Sequence, residues 1–171
     1  MERVEQAKKV AKLVDDNWKE GCDTIVFTHC GDAHLEKDIL SLCEKKESIK
    51  HVVLIDPYWR KSDQTRDRAE FEVDLMVFDM RSSFTVYTRA RKFINSNKFK
   101  VGCVVSANYQ FGDRSDIGFY NQFLTSLPEG VPVIRYANLE RNDKIPVKFD
   151  EGALEELPKN TSVKFYSHTS R

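Results

Sequence analysis

The residues best equipped for chemistry are gathered in one short stretch, Thr28-His29-Cys30-Gly31-Asp32-Ala33-His34. It lies between an apolar run and an amphipathic one. Gly31 lets a ligand approach the backbone closely, and a helix starting just beyond it offers unpaired N–H groups and the positive end of its dipole. Two further acids close apolar runs: Asp56, which falls 25 residues after Gly31, and Asp79. An acid placed like Asp56 accepts hydrogen bonds from ribose hydroxyls in nucleotide folds, and Asp79 is placed to face an adenine amino group. Each acid alone reads equally well as a helix cap or a solvated loop residue. Together, at the ends of successive apolar runs, they mark a ligand crevice.

Other constellations are weaker. Cys22, His29, Cys30 and His34 invite a zinc reading, but adjacent His29 and Cys30 point different ways and no C-x-x-C or H-x-x-x-H pair anchors them, so no metal site is expected. Cys30 beside a helix start could become a thiolate, but with no base placed beside it a structural cysteine is the expectation. Tyr58 and Trp59 follow Asp56 and suit either stacking on an adenine ring or packing. The G-x-x-x-x-G-K-[ST], G-x-S-x-G and H-E-x-x-H patterns are missing, which sets aside P-loop NTPases, α/β-hydrolases and zincins.

These residues need elements to hold them, and the hydrophobic pattern supplies an alternation of helix and strand. Val4, Ala7, Val10, Ala11, Val14 and Trp18 recur at helical steps and predict a helix over residues 1–20, with Gly21 as its C-cap. Runs without polar alternation predict strands buried on both faces at Thr24–Thr28, His51–Ile55, Val73–Phe78, Val101–Ser106 and Val131–Tyr136. Helices are predicted from Leu35 to Cys43, Thr85 to Asn97 and Phe119 to Leu127, and residues 60–72 read as a charged surface helix or loop. The tail offers a short strand at Val147–Phe149, a helix near Leu154 and a strand at Val163–Tyr166, and only Leu139–Gly152 looks linker-like. The expected architecture is a single three-layer α/β/α domain with a doubly wound, mostly parallel sheet: an N-terminal helix (1–20), a sheet core (21–136) and C-terminal strands (137–171). In such sheets the ligand lies beyond the carboxyl ends of the strands, which is where His29, Gly31, Asp32, Asp56 and Asp79 fall.

Composition narrows the function classes. The 171 residues carry 27 basic and 27 acidic side chains, which excludes a disordered polyelectrolyte and a surface wholly devoted to nucleic acid. The longest aliphatic run, Val52-Val53-Leu54-Ile55, falls far short of the roughly 20 residues of a membrane span. No secretory signal is visible, and four irregularly spaced cysteines suit reduced thiols, so an intracellular, cytoplasmic protein is expected. Between Met80 and Gly112 there is no acid, while Arg81, Arg89, Arg91, Lys92, Lys98 and Lys100 add positive charge. This 81–100 stretch reads first as a solvated helix face and second as a docking surface for a phosphate-bearing partner.

Several segments resemble, in order, the class I S-adenosylmethionine-dependent methyltransferases. Ile25–Leu35 (IVFTHCGDAHL) is similar to their cofactor-binding turn, D-x-G-C-G-D-G-x-L after a strand. Val53-Leu54-Ile55-Asp56 is similar to the motif whose acid holds the ribose, Val104-Val105-Ser106-Ala107-Asn108-Tyr109 to V-x-S-N-P-P-Y, and Leu127–Ile134 to L-x-P-G-G-x-x-x-I. The resemblance covers about residues 21–136. It implies a Rossmann-like fold, S-adenosylmethionine as cofactor, a cofactor site of His29, Gly31, Asp32, Asp56 and Asp79, and Asn108 and Tyr109 toward a substrate; the cationic stretch adds Arg89, Arg91 and Lys92 on the substrate side, with nucleic acid or a partner protein at 81–100. The departures are as informative. Phe27 stands where the family has an acid, His29 and Ala33 replace the first and third glycines, and the double proline is missing. No residue is assigned as catalytic. The expectations are therefore a divergent methyltransferase, or a catalytically silent methyltransferase-like scaffold; a dinucleotide oxidoreductase is disfavoured because G-x-G-x-x-G is lacking.

Overall fold

Uninterrupted β-branched and aliphatic runs have no polar face to turn to water, so they fit strands covered on both sides. That is where they lie in the computed structural model, which describes residues 3–57, 67–79, 81–107, 114–138 and 161–168, with side chains left aside at 114–117, 137–138 and 162–168. Helix α1 (Arg3–Asn17) leads into β1 (Thr24–Thr28), followed by α2 (His34–Leu42), a 3-10 turn at Glu44–Ser48, and β2 (His51–Asp56). Then come β3 (Asp74–Asp79), α3 (Ser83–Ser96), β4 (Val101–Ser106), α4 (Arg114–Thr125), β5 (Pro132–Asn138) and β6 (Ser162–His168). The strands form one six-stranded sheet in the order β3-β2-β1-β4-β5-β6. Every neighbouring pair is parallel.

The two sheet faces carry separate cores, as the period of two along each strand requires. Ile25, Phe27, Val52, Leu54, Cys103, Val105 and Ile134 face α1 and α2. Val26, Val53, Ile55, Val101, Val104 and Val133 face α3 and α4. Every residue of β1 and β4, the central pair, is buried. This is a doubly wound, Rossmann-like α/β fold.

Most predicted elements stand within a few residues of their expected bounds, and several of the differences have identifiable causes. Helix α1 stops at Asn17, whose Nδ2 donates to the Leu13 carbonyl at 2.8 Å; Gly21 (φ 82°) serves the turn that follows rather than the helix end. Between these two, Trp18 turns inward onto Gly102, where an added Cβ would lie 2.5 Å from the indole. The β1–β4 register steps from Thr24↔Val101 to Ile25↔Cys103, which leaves Gly102 as a bulge under the ring. Helix α3 begins earlier than expected because the Ser82 hydroxyl caps it, accepting from the Thr85 amide at 3.3 Å. The unanticipated 3-10 turn is capped from a distance: Asp15 accepts from the amides of Glu44 (2.9 Å) and Lys45 (3.1 Å). The predicted strand at 163–166 lies within β6. The strand at 147–149, the helix near Leu154, the linker at 139–152 and most of 60–72 fall outside the described residues. Among the described residues no helix is long and apolar enough to cross a membrane.

Candidate functional site

Strand order reverses between β1 and β4. From β1 the chain leaves to α2, on the α1 face; from β4 it leaves to α4, on the opposite face. Connections that diverge in this way mark the carboxyl ends of these strands as the usual ligand position in such sheets.

The turn leaving β1 has an unusual backbone. His29 (φ 57°), Gly31 (φ 52°) and Ala33 (φ 64°) are all left-handed, at alternate positions. Only glycine adopts this conformation without cost; other residues pay roughly 1 kcal/mol or more. Several contacts hold the strained form. The His29 amide donates to the Ile55 carbonyl (3.1 Å) and the Ala33 amide to the Cys30 carbonyl (2.8 Å). The Gly31 amide donates to Oδ2 of Asp56 (2.8 Å), which ties the turn to the end of β2. Asp32 Oδ1 accepts from the His34 amide (3.2 Å) at the start of α2, where Ala33 offers no side-chain cap.

The His29 ring bridges the fork. Its Nδ1 lies 2.8 Å from Ser106 Oγ at the end of β4 and 3.0 Å from Thr28 Oγ1. The Tyr120 ring of α4 meets it edge-on at 5.3 Å. Arg135 of β5 is fully buried behind Tyr120, its guanidinium 5.0 Å from that ring's centroid, and its Nη2 donates to Asn121 Oδ1 at 2.9 Å. Burial first, and the Arg135 charge second, bring the His29 pKa down to about 4. The imidazole is therefore neutral near pH 7.

Under the turn, Glu36 is 2% exposed in the first turn of α2. Burial raises its pKa to about 8, a backbone hydrogen bond opposes the rise, and Asp32, Asp56 and Asp38 add to it. Burial likewise raises the Cys30 thiol well above its ordinary range, reinforced by Glu36 and Asp56, so Cys30 is a thiol and not a thiolate nucleophile. No group of three His, Cys, Asp or Glu side chains among the described residues is arranged to hold a metal ion.

At the end of β3, Asp79 pairs with Arg68 at 2.5 Å, both side chains 18% exposed. Thus the structure brings His29, Gly31, Asp32 and Asp56 together around one turn, with Asp79 two strands away beyond β2. Arg89, Arg91 and Lys92 are exposed on α3, which connects the carboxyl end of β3 to the amino end of β4. Asn108, Tyr109, Tyr58 and Trp59 lie outside the described residues. Ser106, Tyr120, Arg135, Glu36 and Arg68 are the site neighbours that the residue pattern did not single out. Two carry a readable signal: Arg135 is a lone charge inside an apolar strand, and Glu36 shares the helical face of Ile39.

No family model matches the chain, and no curated protein or solved structure matches it significantly. For the adenosine half of an S-adenosylmethionine-type group, Asp56 at the end of β2 would be the acid beside a turn with glycine-like backbone, its Oδ2 already accepting from the Gly31 amide and Asp79 already paired with Arg68. The amino-acid half fits less well, because Phe27, in the place of an acid, is fully buried in the α1–α2 core and His29 occupies the fork.

Proposed function

We propose that this chain is a divergent methyltransferase-like domain that binds an adenosyl ligand of the S-adenosylmethionine type across His29–Asp32, Asp56 and Asp79. One observation carries the reading. The left-handed residues fall at positions 29, 31 and 33, the three positions at which the similar methyltransferase turn has glycine. A chain that keeps this costly backbone with His and Ala in two of the three places retains the shape a ligand would lie against. In this reading Asp56 accepts from the ribose hydroxyls, Asp79 faces the adenine amino group, and the neutral His29 borders the methionine part. The cofactor, when bound, supplies an activated methyl group. A scaffold without cofactor is favoured by a different observation: His29 and Ser106 already close the β1–β4 fork at 2.8 Å. In that case the exposed cations Arg81, Arg89, Arg91, Lys92, Lys98 and Lys100 serve to dock a nucleic acid or an acidic protein surface.

Calorimetric titration with S-adenosylhomocysteine separates the two. Binding by the parent, weakened in Asp56→Ala by roughly 1.5–3 kcal/mol for lost bonds to a charged group, supports the adenosyl reading. Equal affinity in parent and Asp56→Ala sinks the site assignment, and no binding by the parent leaves the scaffold.

A further inference from the structure

The segment Asp67–Ala69 is fastened at three points. The Ala69 amide donates to the Asp32 carbonyl at 2.8 Å, and His34 Nε2 donates to the Asp67 carbonyl at 2.8 Å. Arg68 Nη2 donates to Asp79 Oδ2 at 2.5 Å. The first two ties are to the turn after β1, and the third is to the end of β3. Because β2 lies between β1 and β3 in the sheet, a backbone held at the β1 turn and a guanidinium held at Asp79 set the Arg68 side chain across the carboxyl end of β2, the strand that ends in Asp56. Ala69 is 5% exposed, so the segment is packed down.

We propose that Asp67–Ala69 is a strap that occupies the adenosyl crevice from within, and that the Arg68–Asp79 pair is its latch. The inference rests on the adenosyl reading for the identity of the ligand, and on the three ties alone for the strap. The guanidinium takes the acid that an adenine amino group would take, and the Arg68 side chain spans the end of the strand whose acid a ribose would take. Ligand entry requires Arg68 to release Asp79. The latch thus lowers apparent affinity by holding most molecules in a form that does not bind.

Amide hydrogen exchange on the parent, Arg68→Ala, Arg68→Lys and Asp79→Asn tests the strap without any ligand. The Ala69 amide should exchange about tenfold faster or more in Arg68→Ala and Asp79→Asn, and less so in Arg68→Lys, which keeps the charge but not the planar donor fork. Amides of β4, buried in the sheet centre, should exchange as in the parent in all three variants, which excludes general unfolding. Unchanged Ala69 exchange in both Arg68→Ala and Asp79→Asn overturns the strap. Titration with S-adenosylhomocysteine then tests the gating. Tighter binding by Arg68→Ala than by the parent supports it, whereas equal or weaker binding overturns it and makes Arg68 a bystander or a ligand contact. Faster Ala69 exchange with no binding by any form supports the strap and removes the adenosyl reading.

Discussion

Replacing Glu36 by Gln should reshape the pH dependence of stability. The carboxyl is 2% exposed, and its pKa is raised by burial from 4.5 to about 8. Above pH 4.5 the folded chain holds a proton that the unfolded chain releases, so stability present at low pH is lost as pH rises toward 8. The slope of that loss is about 1.4 kcal/mol per pH unit. His29 acts in the opposite sense. Its pKa is lowered from 6.5 to about 4, so below 6.5 the unfolded chain binds a proton that the folded chain refuses, and stability is lost as pH falls. Between pH 4.5 and 6.5 the two slopes oppose each other, and between 6.5 and 8 only Glu36 acts. For these two groups the parent is level across the first window and loses about 2 kcal/mol across the second. Glu36→Gln keeps the side-chain shape and removes the proton. Its stability should climb from pH 4.5 to 6.5 and stay level above. Urea unfolding at a series of pH values reads this directly through the midpoint at constant m. Parallel pH curves for parent and Glu36→Gln would refute the burial of a protonated carboxyl under the turn.

Three other outcomes follow from packing and backbone. Gly102→Ala sets a methyl 2.5 Å from the Trp18 ring and should cost about 1–3 kcal/mol by urea unfolding, part of it recovered when Trp18 is also reduced to Leu; additive losses would contradict the contact. Ala33→Gly relieves a left-handed residue but gives up a buried methyl, so its stability should stay within about 0.5 kcal/mol of the parent, and a loss above about 1.5 kcal/mol would contradict the strained φ. Ser106→Ala removes a partner of His29 and should cost about 1 kcal/mol, with the His29 ring resonances moving in NMR spectra; an unmoved ring would show that the fork is not bridged.

What the residue pattern made legible was the part governed by local periodicity. Buried apolar runs identified the strands, because a parallel strand covered on both faces cannot alternate with polar residues. The 3-10 turn at Glu44–Ser48 has no such periodic signal, because its cap comes from the distant Asp15. The turn residues His29, Gly31, Asp32 and Asp56 were readable because a strand end in a parallel sheet has a fixed role. Their partners were not, because contacts such as His29 with Ser106 span 77 residues and depend on strand order. Arg68 was hidden for another reason. A charge in a densely charged segment looks solvated, and only the sheet order carries it to Asp79. The left-handed φ of His29 and Ala33 was also out of reach of propensity, which assigns that conformation to Gly31 alone.

The claim that the β1 turn is an adenosyl-binding surface is tested most directly by titrating the ¹⁵N-labelled chain with S-adenosylhomocysteine and following backbone amide shifts. The account predicts saturable shifts concentrated at His29–Asp32, Asp56 and Asp79, with the Gly31 amide, now bonded to Asp56, among the most affected. Saturable shifts elsewhere, or none at these residues at millimolar ligand, would contradict it.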